Sequence, residues 1–191
     1  AIHVRAPKGS GCVGILVRDN LFLDYSVKVM DRSYEGVSGI QLQHKVSEYT
    51  VLIYACYLPP ENSPWGRDAV SFYSHLLTQT YLHSEVDALM FCGDFNSRIG
   101  KMQDLIGELD SLPERKCLDE TVNQHGASLI EFLHESKYCV LNGRISIDDD
   151  AFTCRTSRGV SVVDYFLVAH DMIGQCSNMK VESCEIGRAH V

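Results

Sequence analysis

Eight cysteines occur without a single C-x-x-C pair, and eight histidines without an H-x-x-x-H or mixed Cys/His spacing. Those two absences exclude the usual redox motif and make a zinc site improbable. No apolar run approaches the roughly 18 residues that a membrane span needs, and there is no signal peptide, so a soluble chain with no membrane partner is expected. Positive charge is also short. Seventeen Lys and Arg against 25 Asp and Glu leave a formal charge of −8, which argues against a generally basic nucleic-acid coat. A polyanion would have to be met by a local patch or through metal ions. No repeat, low-complexity tract or linker divides the 191 residues, a length that suits one domain with a substantial core.

What is present fits an ordinary globular composition, 45% hydrophobic and 22% charged. The cysteines sit mostly inside apolar runs such as "YACYL" and "KYCVL", which reads as reduced, buried thiols in an intracellular protein. The chain opens without methionine, and its true start is expected to be missing. "CVGILV" (12–17), "YSVKVM", "VSGIQLQH" and "YTVLIYACYL" are β-branched or aromatic runs between polar turns, an antiparallel meander that Pro59 and Pro60 end. From 68 to 82, Val70, Tyr73, Leu77 and Tyr81 follow a helical period. "VDALMFC" (86–92) is a short buried strand. A second helix over 127–137 carries Leu129, Ile130 and Leu133 on one face. "YCVLN", "AFTCR", "VSVVDYFLV" and "MKVESCEI" read as strands.

Three strand ends carry polar groups that a core would not tolerate alone. In "MFCGDFNSRIG" (90–100) an apolar run breaks at Gly93, with Asp94 and Asn96 crowding the break. Taken alone this is a turn, since Asp and Asn cap turns and Gly tolerates positive φ. In "SVVDYFLV" (161–168) Asp164 stands among apolar neighbours, so it must pair, bind a metal or sit at a strand mouth. In "YACYLPP" (54–60) Tyr57 leaves a long strand just before two prolines. If the three converge they form a site.

The combination of "YLPP" (57–60), "GDFN" (93–96) and "SVVDY" (161–165), in that order along the chain, resembles the endonuclease/exonuclease/phosphatase superfamily. The stretches 119–145 and 152–168 look like the endonuclease domain of non-LTR, LINE-type retrotransposons, and the likeness covers nearly all of 11–184. The resemblance implies an α/β (α+β) fold, a four-layer αββα sandwich of two mostly antiparallel sheets flanked by helices, incomplete here. It implies phosphodiester hydrolysis with Mg²⁺, or Mn²⁺ as an alternative, DNA as the partner, no obligate protein partner, and a nuclear location. By the same resemblance Asp94 orients or deprotonates the attacking water and is a metal ligand. Asn96 holds the phosphate or that water, Tyr57 donates a hydrogen bond to the scissile phosphate, and Asp164 positions the family's catalytic histidine. Asn142, Thr153 and Ser161 are weaker candidates for lining the groove. Their alternatives are a turn residue, a strand residue and a strand-start hydroxyl.

The sequence departs from that pattern at both ends. The N-terminal Asn and the metal-binding Glu would precede 11–17, and an S-D-H motif would follow "VESCEI". In its place stands "IGRAHV" (186–191), which resembles a translated sequencing adapter. The expectation is therefore a partial domain over 1–185 with an adapter-derived tail over 186–191, truncated at both ends and inactive or nearly so. His170 and Asp171 read as a solvated pair or helix start, His190 is given no role, and the acidic run 148–150 reads as an exposed hairpin tip. Two rivals stay open, a phosphatase on the same core and a catalytically dead protein-binding module.

Overall fold

The computed structural model describes residues 13–30, 32–63, 68–105, 112–145, 152–157 and 159–181. The acidic run 148–150, the tail 186–191, Cys12 and Cys184 lie outside the described residues. Eight strands are described: β1 (Tyr25–Val29), β2 (Val37–His44), β3 (Thr50–Tyr57), β4 (Ala88–Asp94), β5 (Tyr138–Val140), β6 (Cys154–Thr156), β7 (Gly159–Ser161) and β8 (Asp164–Ala169). The helices are α1 (Leu21–Asp24), α2 (Ala69–Leu82) and α3 (Gln124–Ser136), with a 3₁₀ turn over His170–Gln175.

Strands β1, β2 and β3 form the expected antiparallel meander. β4 then lies parallel to β3. A parallel neighbour cannot be reached by a tight turn, and α2 supplies the crossover. The main sheet has the order β1-β2-β3-β4-β8-β5, and β6 and β7 form a separate two-stranded sheet. This mixed α/β arrangement, a six-stranded and a two-stranded sheet with flanking helices, is the fold class expected from the sequence.

One face of the large sheet packs on both long helices. Leu52, Tyr54, Phe91, Leu167 and Val140 share a buried cluster with Phe72, Tyr73 and Leu76 of α2 and with Leu129, Phe132 and Leu133 of α3. On the other face Cys139, Leu141 and Val168 form a smaller cluster with Met90, Phe166, Met172 and Ile173. Asp68 caps α2 by accepting from the Val70 amide, and Asn123 caps α3 by accepting from Gly126. Both are favoured N-cap residues.

Several sequence expectations shift in register. The buried stripe of α2 is Ala69, Phe72, Tyr73 and Leu76, while Val70 and Tyr81 are exposed. The helix is apolar on more than one stripe, and the one facing the sheet is chosen by tertiary packing. α3 starts three residues earlier than 127 because Asn123 is its cap. Residues 13–17 are not a strand, and Leu16 is 86% exposed; a β-branched run without a ladder partner gains nothing from extension. Residues 179–181 are likewise not a strand, and 182–186 lie outside the described residues. "VSVVDYFLV" is two strands rather than one. Between β7 and β8 the Val162 amide donates to Asp119 and the Val163 amide to the Thr153 hydroxyl, so side chains replace the ladder where the chain changes sheets. The six described cysteines are free thiols, Cys56 and Cys139 buried and the rest half-buried. Among the described residues no helix is long and apolar enough to cross a membrane.

Candidate active site

Strand register gathers the polar strand ends. Tyr57, the last residue of β3, is opposite Asp94, the last of β4. Asp94 is in turn opposite Asp164, the first residue of β8. Residues paired across adjacent strands project to the same face, about 5 Å apart. The phenol and the two carboxylates therefore stand in one row at one end of the sheet. Asp164 is thus at a strand mouth, one of the three ways its charge can be tolerated.

The turn after β4 is built from its own side chains. Asn96 takes a left-handed φ of 46°, which Asn adopts more readily than most residues. Its amide donates to Asp94 Oδ1 at 2.9 Å and its side-chain Nδ2 to the Leu58 carbonyl at 2.8 Å. The Leu58 amide donates to the Asp94 carbonyl, and the Phe95 amide to the Val163 carbonyl. Gly93 is required: its φ is 141°, and a Cβ there would lie 2.0 Å from the Cys56 carbonyl oxygen. Gly93→Ala is expected to cost about 2 kcal/mol of stability, read by urea unfolding, because strain and overpacking act together.

The two carboxylates are half-buried. Burial pushes the Asp94 carboxyl up to about 6, the neighbouring Asp164 charge adds to this, and the Asn96 hydrogen bonds oppose it. Asp164 is also raised by burial, tempered by a hydrogen bond with the Thr153 side chain. A group that is partly ionised near neutrality can accept a proton from water.

The weaker candidates have defined places. The Thr153 hydroxyl accepts from the Val163 and Asp164 amides at 3.0 and 3.1 Å, so it fixes the start of β8. Asn142 bridges the same strand through its side chain, donating to the Asp164 carbonyl and accepting from the Phe166 amide, both at 3.0 Å. It continues the β5 ladder where the backbone has turned away. Thr153, Asn142 and Asp164 line a cleft of about 370 Å³ with Cys92, Phe166 and Lys180. Ser161 is outside that lining; its carbonyl accepts from the Thr153 amide. His170 is at the far end of β8, its ring nitrogen against the Tyr138 carbonyl.

Behind the row lies a network that the sequence reading missed. Arg98 forms a two-point pair with Asp119, at 2.8 and 2.6 Å. Burial works to raise the Asp119 carboxyl, but Arg98 and the Val162 and Thr121 amides outweigh it and hold it low. Asn123, which follows in the same loop, could have been found as an N-cap from its place ahead of the apolar period of α3.

The donor set suits a hard divalent cation. Asp94 and Asp164 offer hard carboxylate oxygens side by side, and both carboxyls are raised in the absence of a compensating charge. Mg²⁺ commonly takes one or two protein carboxylates and keeps its waters, so the pair fits. Among the described residues no group of three or more His, Cys, Asp or Glu side chains is placed to hold a metal.

No family model and no curated protein matches the chain. Solved structures do. The human Nocturnin catalytic domain with bound sulfate anion is 15% identical, over 75% of this chain and 48% of that one, with a TM-score of 0.45. The 3′ phosphatase NExo from Neisseria, bound to product DNA hairpin, is 9% identical over 80% of this chain and 70% of its own, with a TM-score of 0.48. TDP2 from D. rerio, complexed with single strand DNA product, is 12% identical over 76% and 53%, with a TM-score of 0.41. The structural neighbours are members of the endonuclease/exonuclease/phosphatase superfamily. The chain spans about half the length of the Nocturnin and TDP2 structures.

Proposed function

We propose that Tyr57, Asp94, Asn96 and Asp164 form a phosphodiester-cleaving site that works with Mg²⁺ or Mn²⁺, and that residues 1–185 are part of a DNA endonuclease domain of the non-LTR retrotransposon kind. The observation that carries this reading is the in-register row of Tyr57, Asp94 and Asp164. Hydrolysis of a phosphodiester needs a positioned water and stabilisation of charge on the phosphoryl oxygens. Asp94 orients the water and takes its proton. The Asn96 side chain hydrogen-bonds the Asp94 carboxylate as well as the Leu58 carbonyl, and in this reading its amide holds the phosphate or the water beside Asp94. Tyr57 donates a hydrogen bond from its phenol to a phosphate oxygen. Asp164 and Asp94 would hold the cation, which when bound supplies positive charge to the phosphoryl oxygens. Lys180, in the cleft lining with Asp164, brings a cation near an otherwise acidic site.

The test is Mn²⁺ titration of the chain together with duplex DNA binding across a salt series. Mn²⁺ binding is expected to weaken at least about tenfold in Asp94→Ala, and DNA affinity to fall with salt. Plasmid nicking with Mg²⁺ is expected to stay near background; robust nicking that Asp94→Ala abolishes would show that the described groups suffice for turnover. Preference for a small phosphate monoester over DNA would turn the assignment to a phosphatase. Stable folding with no metal response would leave a protein-binding module.

A further inference from the structure

We infer that Asn123 is a positioning residue, which with the Arg98–Asp119 pair clamps the Asp94 turn and the start of β8 from behind and so sets the spacing of the two carboxylates. The inference rests on the phosphodiester-site reading for its consequence, though the clamp is defined by hydrogen bonds alone.

Asn123 uses both ends of its amide. Nδ2 donates to the Asn96 carbonyl at 2.9 Å. Oδ1 accepts from the Arg98 amide and from the Gly126 amide, each at 2.8 Å. The Asn123 amide also donates to the Arg98 carbonyl at 3.0 Å. One side chain therefore caps α3 and grips the residues on either side of Ser97. The approach is close: a Cβ on Gly126 would lie 2.0 Å from the Arg98 carbonyl oxygen.

The second half of the clamp runs through Arg98. Its guanidinium holds the buried Asp119 carboxylate at two points, and Asp119 Oδ2 accepts from the Val162 amide at 3.0 Å. Val162 is two residues ahead of Asp164. The β4 turn and the β8 start are thus joined by an unbroken path, from Asn96 through Asn123, Arg98 and Asp119 to Val162. At the front the same two elements meet directly, through the Phe95 amide and the Val163 carbonyl at 2.9 Å. A cap alone needs only the Oδ1 acceptor. The Nδ2 bond to Asn96 has no part in capping, and positioning is what it adds.

Asn123→Asp separates the two roles. Aspartate caps a helix as well as asparagine does, but it cannot donate to the Asn96 carbonyl and sets an oxygen against it. Amide hydrogen exchange of the full chain reads the result. Exchange at Phe95 and Asn96 is expected to speed up at least about tenfold in the variant, with the α3 amides unchanged. Unchanged exchange at Phe95 and Asn96 overturns the inference, as does faster exchange confined to α3. Should Asn123→Asp fail to fold, Asn123→Ser, which also caps but reaches less far, takes its place with the same criteria. A Mn²⁺ titration is the second arm, with affinity expected to drop at least about tenfold in the folded variant. Loosened amides with unaltered Mn²⁺ affinity overturn the positioning role. A parent chain that shows no Asp94-dependent Mn²⁺ binding sinks the proposed function instead, and the exchange arm then decides the clamp alone.

Discussion

Asp94→Asn is expected to be the more stable protein in metal-free buffer at pH 8 and the less stable one in saturating Mn²⁺. The first half follows from burial. The Asp94 carboxyl is raised from 3.8 to about 6, so the folded state holds its proton more tightly than the unfolded chain does. The sign is fixed by linkage: with the folded value above the unfolded one, stability falls as pH rises between those two values and is level above them. A shift of that size corresponds to roughly 3 kcal/mol. Asp94 is partly solvated, and screening reduces the expected gain of the neutral amide to about 1–2 kcal/mol. The gain shrinks as pH falls from about 6 towards 4 and vanishes well below the unfolded value of 3.8, where the parent carboxyl is protonated in both states. The amide oxygen can still accept from the Asn96 amide as Asp94 Oδ1 does, so the turn survives. The second half follows from mass action: a cation at 100 times its dissociation constant adds about 2.7 kcal/mol to whatever binds it. The parent gains this and the variant does not. Thermal unfolding of both proteins at pH 4, 6 and 8, with and without Mn²⁺, measures the crossing. Equal responses to Mn²⁺ would remove Asp94 from the cation site.

The row of Tyr57, Asp94 and Asp164 is legible in the sequence because each residue violates its local pattern: a phenol before Pro59, an acid after a glycine break, an acid among valines. Such violations need no knowledge of the partner. Asn123, Arg98 and Asp119 violate nothing. They lie in polar loop sequence, and their partners are 21 to 43 residues away, so no local period marks them. The stripe of α2 failed for a related reason, since Val70 and Phe72 are equally apolar and only the sheet beneath decides between them. Thr153 and Asn142 fall between these cases. Their residue types suited a groove, but the structure shows both bound to the backbone of β8, where a hydroxyl and an amide replace ladder partners that the chain cannot supply.

The largest loss of stability is expected at a pair that no pattern announced. Asp104 and Arg144 are fully buried, with a 2.8 Å contact between Oδ1 and Nη2. Neither serves only the other. Asp104 Oδ2 also accepts from the Val140 amide, and Arg144 donates to the carbonyls of Val140 and Pro113. The pair thus closes the end of β5 and anchors the loop that leaves β4. Asp104→Ala strands a guanidinium in the core and unpairs the Val140 amide. Breaking a buried pair in this way costs about 3–5 kcal/mol, a large part of the stability of any domain this size. Replacing both partners by Leu and Met removes the charges, a change that is often neutral elsewhere. Here it leaves the Val140 amide and carbonyl and the Pro113 carbonyl without partners, at about 1–3 kcal/mol for each group that stays buried. The double variant is therefore expected to recover only part of the loss. Urea unfolding of the parent, Asp104→Ala, Arg144→Met and the Asp104→Leu/Arg144→Met protein measures it. Full recovery would mean that the pair acts only as two neutralised charges and that water reaches those backbone groups.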